Sequence, residues 1–312
     1  MYELAIIGGG PAGAAAAVYA ARKQIKTILI AESFGGQSVD SNDIQNWIGT
    51  PHISGVDLAK SLKAHVKEYA GEIIDVHEGE RATKIEKIED DGFLVTTGKD
   101  IYKTMTVLVA TGGSRRKLDV TGAREFEGKG ITYCASCDGP FFAGMDVVVI
   151  GGGNAGFEAA AQLLAYCKSV TLLSRSDFKA DPMTVESVLK NPNMKAIPHA
   201  VPTEIKGDKM VESISYRTNS PFVDNATIPV QGIFVEIGHI PATSFVESIV
   251  ELNDEKKIVI DHKTQRTSEP GVWAAGDCTD TLYHQNNIAA GDAVKALEDI
   301  YQELQKIKGS KQ

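Results

Sequence analysis

Apolar positions fall twice into the same pattern. Residues 4–13 read LAIIGGGPAG and residues 147–156 read VVVIGGGNAG. Each is a β-branched apolar run, which predicts a buried strand, cut off by a glycine cluster. An alanine-rich stretch with helical spacing follows each cluster, AAAAVYAAR after the first and FEAAAQLLA after the second. A second apolar run closes each unit, KTILIAES and SVTLLSRS. Strand, tight turn, helix, strand is therefore predicted twice, at a distance of 143 residues (151 − 8). That distance is too long for stacked repeats and suits two domains of one kind. Further downstream, GVWAAGDCTD predicts a strand ending at Gly276 and Asp277, and HQNNIAAGDAVKALEDI has helical periodicity.

The glycines have the G-x-G-x-x-G spacing, Gly8, Gly10 and Gly13 in the first unit and Gly151, Gly153 and Gly156 in the second. The first glycine permits the turn, the second lets a pyrophosphate approach the backbone, and the third lets helix and strand pack closely. Pro11 and Ala12 complete the first turn, Asn154 and Ala155 the second. The helix N-terminus then offers unpaired N–H groups to phosphates. Alone such a motif is weak evidence; here each copy follows a strand and opens a helix.

Counting 24 residues from each first glycine reaches Glu32 and Arg175. A carboxylate at this offset bonds ribose hydroxyls and repels a 2′-phosphate, so the first unit suits FAD or NAD. An arginine suits a 2′-phosphate, so the second leans toward NADPH, with Ser174, Ser176 and Lys179 as helpers. Gly156 pulls the other way, since alanine is commoner there in NADP sites, and Arg175 also reads as a solvated loop charge. NADH stays open. Asp277, at a strand end before a helix, suits a ribityl hydroxyl of the first unit's cofactor, although such a Gly-Asp also serves as a simple turn. Because it lies beyond the second unit, one domain is interrupted by another. The expected class is α/β, two Rossmann-like three-layer dinucleotide-binding domains with the second inserted into the first. The boundaries expected are 1–113 and 244–312 for the FAD domain and 114–243 for the NAD(P)H domain. The crossings are marked by TGGSRRKLDVTG and IGHIPAT.

Composition narrows the function. The chain has 312 residues, 43 % apolar and 23 % charged, with a formal net charge of −9 and no basic run. A nucleic-acid partner is not expected without clustered Lys and Arg. The short basic tail KIKGSKQ reads as a solvated end. No signal peptide and no apolar stretch of ~20 residues are read, so a cytoplasmic location with no membrane partner is expected. In a reducing compartment four cysteines do not form a disulfide framework. Cys167 and Cys278 read as ordinary buried thiols. Cys134 and Cys137, in ITYCASCDGPFF, are spaced for chemistry. A metal site would need further ligands, and no second C-x-x-C or H-x-x-x-H exists. A redox couple fits, because neighbouring thiols lower each other's pKa and the thiolate is the reactive form. Asp138 stands beside the pair as an acid and base, or as a turn residue before Gly139 and Pro140.

Taken together, GGGPAGAAAAVYAARK, FGGQ, IQNW, ATGG, ITYCASCDGPFF, GGGNAGFEAA and GVWAAGDC resemble the low-molecular-weight thioredoxin reductases. In ARK, GGGNAG, KAD and GIFVEIG the chain is also similar to the flavoprotein subunit of bacterial alkyl hydroperoxide reductase. The likeness covers essentially the whole chain, with the motifs in one order. It implies a homodimeric flavoprotein disulfide reductase, with FAD in the interrupted domain, NAD(P)H in the inserted one, and a thioredoxin-like or glutaredoxin-like carrier as partner. It implies flavin-site residues in FGGQ (Gly36, Gln37), IQNW (Asn46), ATGG (Thr111, Gly112) and HQNNI (Gln285, Asn286, Ile288). It also implies that Cys137 faces the flavin while Cys134 attacks the carrier disulfide, with rotation of the inserted domain between two arrangements.

Three departures stand out. The first glycine motif begins near residue 6, leaving no room for the extra N-terminal disulfide domain of the peroxide-linked flavoprotein; a free-standing reductase is expected. In LLSRSDFK, serines replace the basic neighbours of Arg175. His284–Gln285 stands where Arg-Gln is usual. The alternatives are an NADH-dependent reductase feeding a peroxiredoxin system, a ferredoxin-linked flavoprotein, and a redox sensor of the same fold.

Overall fold

The computed structural model describes residues 1–88, 92–220 and 223–310. The chain divides into two compact units, one formed by Met1–Ser114 with Ile240–Gln312, the other by Arg115–His239. The return crossing therefore falls four residues before the expected 243. The reason is local: the Ala242 N–H donates to the Gly112 carbonyl and the Thr243 hydroxyl to the Lys256 carbonyl, both within the first unit.

The first unit opens with β1 (Tyr2–Gly9), α1 (Pro11–Arg22), β2 (Thr27–Phe34), α2 (Gly55–Ala70) and β3 (Ile74–Glu78). The strands β4 (Ala82–Ile88), β5 (Gly92–Thr97) and β6 (Ile101–Val109) follow. After the short β7 (Gly113–Arg115) the second unit runs through β8 (Ile131–Thr132), α3 (Ala135–Asp138), β9 (Asp146–Ile150), α4 (Asn154–Leu163) and β10 (Ser169–Leu173). It continues with α5 (Pro182–Leu189), β11 (Met194–Ile197), β12 (Ala200–Gly207), β13 (Val211–Ser220), β14 (Val223–Pro229) and β15 (Gly232–Val235). The strand β16 (His239–Pro241) leads back to the first unit, which ends with β17 (Val272–Ala274) and α6 (Asn286–Ser310).

In the first unit the strands order β3-β2-β1-β6-β5-β4, with β17 also pairing β6. The strands β1, β2, β3, β6 and β17 are parallel, while β4 and β5 form an antiparallel hairpin on β6. The period of two along β1 sends Leu4 and Ile6 into a core with α1, α2 and α6, and Ala5 and Ile7 into a second core on the opposite face. Both faces are covered, which is why the strand reads as a continuous apolar run rather than an alternation. Fully burying each large aliphatic side chain contributes roughly 1.5–3 kcal/mol.

The second unit repeats the scheme with one change. Its parallel sheet orders β11-β10-β9-β15-β8. Val147 and Val149 of β9 face α4 and α5, while Val148 and Ile150 face the antiparallel sheet β12-β13-β14 through Ile205, Ile214 and Tyr216. Strand order reverses between β9 and β15, and the glycine turn follows β9.

The basic tail is not simply a solvated end. α6 carries it to Ser310, where Lys308 pairs with Glu3 and Lys306 with Glu303, and its last two residues lie outside the described ones. Among the described residues no helix is long and apolar enough to cross a membrane. Cys167 and Cys278 are buried, and burial pushes each thiol up to about 11.

Candidate functional site

The two glycine turns are built alike. At Gly8 (φ +121°) a side chain would collide with the Ala110 carbonyl oxygen, and at Gly151 (φ +142°) with that of Glu236. Gly13 and Gly156 pack on the carbonyls of Gly8 and Gly151, leaving no room for a Cβ. Gly10 and Gly153 differ. A Cβ on Gly10 would meet nothing closer than the Gly36 Cα at 4.0 Å, and one on Gly153 nothing within 4 Å. Neither is demanded by protein packing.

The helices behind these turns are also distinctive. α2 and α5 start on the capping side chains of Ser54 and Asp181, whereas α1 and α4 start on Gly10 and Gly153 with no side-chain cap. Their first N–H groups and the positive ends of their dipoles stay available to an anion.

In the first unit a cleft of about 390 Å³ opens at the turn. Twelve of the residues expected there line it: Gly8, Gly10, Pro11, Ala12, Glu32, Gly36, Gln37, Thr111, Gly112, Gly276, Asp277 and Asn286. β17, through its pairing with β6, delivers Asp277 from far down the chain. Gly13 lies behind the turn as a packing residue. Asn46, Gln285 and Ile288 do not line the cleft; the Asn46 amide donates to the Gln285 side chain at 2.9 Å, and Ile288 is half-buried in the first turn of α6. The Ser38 hydroxyl donates to Asn286 at 3.0 Å, and His284 stands 3.8 Å from Asp277. Sequence reasoning missed Glu80, Arg81, Ala82 and Thr83, which form another wall, with Arg81 3.6 Å from Glu32. Their segment carries no motif; pairing of β2 with β3 brings it there. A cleft of this size, with an open glycine, an uncapped helix and carboxylates at the ribose-reading positions, fits a dinucleotide cofactor such as FAD.

In the second unit the loop after β10 touches the glycine turn, where the Lys179 N–H donates to the Gly152 carbonyl at 2.7 Å. Arg175 and Lys179 are exposed and Ser176 is half-buried on this loop. Ser174 is turned the other way: it is buried against Gly152 and its hydroxyl donates to the Ser176 carbonyl at 2.8 Å. It faces the glycine turn, and its hydrogen bond to Ser176 shapes the loop. The Asn154 side chain accepts the Asp181 N–H at 2.8 Å and so ties α5 to the turn, while Ala155 is exposed in the first turn of α4.

Cys134 and Cys137 form a disulfide across α3, with Cα atoms 5.3 Å apart. Both are half-buried, and the Cys137 N–H donates to the Cys134 sulfur at 3.1 Å. Asp138 follows, half-buried and accepting a hydrogen bond from the Thr132 hydroxyl. Burial raises its carboxyl above the usual range, and the Thr132 bond opposes that rise. The group is thus poised to hold a proton closer to neutrality than an exposed aspartate would.

Two glycine-turn units, one interrupting the other along the chain, with a cysteine pair beside a half-buried aspartate, define a two-domain Rossmann-like protein of disulfide redox chemistry. Residues 2–293 match the family described as pyridine nucleotide-disulphide oxidoreductase, and the chain belongs to that family. Its fold is shared with the solved thioredoxin reductase from Giardia duodenalis, with a TM-score of 0.91 and 32 % identity over 97 % of this chain and 99 % of that one. Two curated relatives are similar in sequence. One is a component of the alkyl hydroperoxide reductase of Escherichia coli (strain K12), 43 % identical over 300 residues; the other is a protein named NADH dehydrogenase from Bacillus subtilis (strain 168), 42 % identical over 301. Each alignment covers 95 % of this chain but 57 % of the relative, so the chain spans little more than half their length.

Proposed function

We propose that this protein passes electrons from NAD(P)H, by way of FAD and the Cys134–Cys137 pair, to the disulfide of a thioredoxin-like or glutaredoxin-like carrier protein. The observation that carries this reading is the cysteine pair itself, joined as a disulfide and flanked by a half-buried Asp138, in a chain with two open glycine turns. FAD, held by the turn after β1 with Glu32 and Asp277, supplies a two-electron relay when bound.

The chain's own residues do the rest. Two electrons and two protons open the Cys134–Cys137 disulfide to a dithiol. The Cys134 thiolate attacks one sulfur of the carrier disulfide and expels the other as a thiolate, leaving a mixed disulfide. Cys137 then attacks the Cys134 sulfur, which re-forms the internal disulfide and frees the second carrier sulfur. Asp138 takes the proton of the attacking thiol and gives it to the departing thiolate. Homodimerisation and turning of Arg115–His239 between two working arrangements belong to the same reading.

A second reading, an NADH-linked reductase supplying a peroxiredoxin system, draws support from the two curated relatives. Rapid mixing of the purified flavoprotein with NADPH, NADH and a chemical one-electron donor tests the input side. Turnover with a thioredoxin and with a peroxiredoxin-linked carrier tests the output side. Absence of flavin from the purified protein, or no reduction of either carrier, overturns the proposal.

A further inference from the structure

Glu236 is a buried charge that this electron path does not use. It follows β15, directly across from the end of β9, and its N–H donates to the Ile150 carbonyl at 2.8 Å. Its own carbonyl oxygen is the atom that forces a glycine at position 151. The residue therefore sits on the rim of the second glycine turn, where strand order reverses between β9 and β15. In parallel α/β sheets this crevice at the carboxyl ends of the strands is where nucleotides bind.

The side chain is 9 % exposed. Arg115 stands 3.3 Å away, and the nearby carboxylate of Glu158 on α4 repels that of Glu236. One cation and one further acid thus bear on Glu236. A dinucleotide brings further negative charge, its diphosphate, to the turn that Glu236 borders. A second ionised carboxylate beside it, in poorly solvated surroundings, would repel it. We propose that Glu236 is a proton-linked binding-site acid of the nucleotide crevice: the dinucleotide enters with Glu236 as a neutral carboxylic acid, so binding draws a proton into the site.

The ionisation of the free protein agrees. Burial, opposed by Arg115 and reinforced by Glu158, raises Glu236 to about 7, so both forms are populated near neutrality before any ligand arrives. The sign follows. Affinity is full below this value and falls as pH rises through it, by about tenfold between pH 6 and pH 8 if the ionised form does not bind.

This inference rests on the nucleotide reading of the second glycine turn. The test is calorimetric titration of the oxidised holoenzyme with NAD⁺, which cannot reduce the flavin and carries no 2′-phosphate to titrate on its own account. It is run at several pH values and in two buffers of different ionisation enthalpy. The wild type should take up a fraction of a proton at pH 7 and bind about tenfold more weakly at pH 8 than at pH 6. Glu236→Gln should bind equally at both and take up none. Arg115→Met, which removes the cation that favours the ionised form, should move the midpoint to higher pH and supplies the check if Glu236→Gln does not fold. Wild-type binding without pH dependence or proton uptake overturns this inference alone, as does unchanged uptake in Glu236→Gln. Absence of any NAD⁺, NADH or NADPH binding overturns the nucleotide reading with it.

Discussion

Thr132 donates its hydroxyl hydrogen to Asp138 while accepting the N–H of Cys134 at 3.4 Å. One hydroxyl thus links the aspartate, at the end of α3, to the first cysteine of the pair, on the short turn between β8 and α3. The Thr132 bond lowers the Asp138 carboxyl against the larger upward push of burial.

Removing that hydroxyl therefore raises the aspartate further. In Thr132→Val the pH at which carrier reduction changes with Asp138 ionisation should move upward relative to wild type. Asp138→Asn should remove that dependence and slow transfer by up to about 10²-fold. A pH profile of turnover with saturating carrier measures both. An unmoved profile in Thr132→Val would separate Asp138 from the proton step.

Cys134→Ser and Cys137→Ser should each abolish carrier reduction while the bound flavin is still reduced by the nucleotide. Steady-state turnover combined with rapid-mixing absorbance of the flavin distinguishes the two steps. Normal turnover in either variant would remove the pair from the path.

The three glycines of the first turn should separate by role. Gly8→Ala forces a side chain into the Ala110 carbonyl at positive φ and should destabilise the fold by at least ~2 kcal/mol. Gly10→Ala meets no protein atom in close contact, so it should melt like the wild type without cofactor yet retain far less flavin. Thermal melts of the flavin-free forms and the flavin content of the purified proteins check the pair.

Arg175→Ala should weaken NADPH while leaving NADH nearly unchanged. A charge-assisted contact to a 2′-phosphate is worth roughly 1.5–3 kcal/mol, or roughly one to two decades in affinity. Affinities for both coenzymes on wild type and variant decide this, and equal loss for both would mean Arg175 does not read the phosphate.

His77 offers a stability test away from the chemistry. It lies 3.1 Å from both Asp75 and Glu80, and Tyr102 also reaches Glu80. Burial acts to lower His77, but the two carboxylates outweigh it and the net shift is upward from 6.5. A raised histidine contributes stability that is complete below its unfolded value and fades as pH rises through the folded one. Wild type should thus exceed His77→Gln in stability by more at pH 6 than at pH 8. Denaturant titrations at the two pH values measure it, and an equal gap at both would show that the histidine is not charged in the fold.

The glycine turns were legible in the sequence because their constraints are local. A strand that must turn beneath a helix has room for glycine alone at Gly8 and Gly13, and the same spacing recurs at Gly151 and Gly156. The apolar runs of β1 and β9 were legible for a related reason: a parallel strand covered on both faces needs no polar alternation. Glu32 and Asp277 followed from fixed offsets and strand ends. What the chain could not disclose by spacing is which side chains meet after the strands pair. Arg81 reaches Glu32 because β3 lies beside β2, and Arg115 reaches Glu236 although 121 residues (236 − 115) separate them. Ser174 reads as a neighbour of Arg175, yet the backbone of its loop turns it toward Gly152. Ionisation was hidden for the same reason. Whether Asp138 or Glu236 holds a proton depends on how much water the packed elements exclude and on which charge they bring within a few ångströms, and tertiary structure alone sets both.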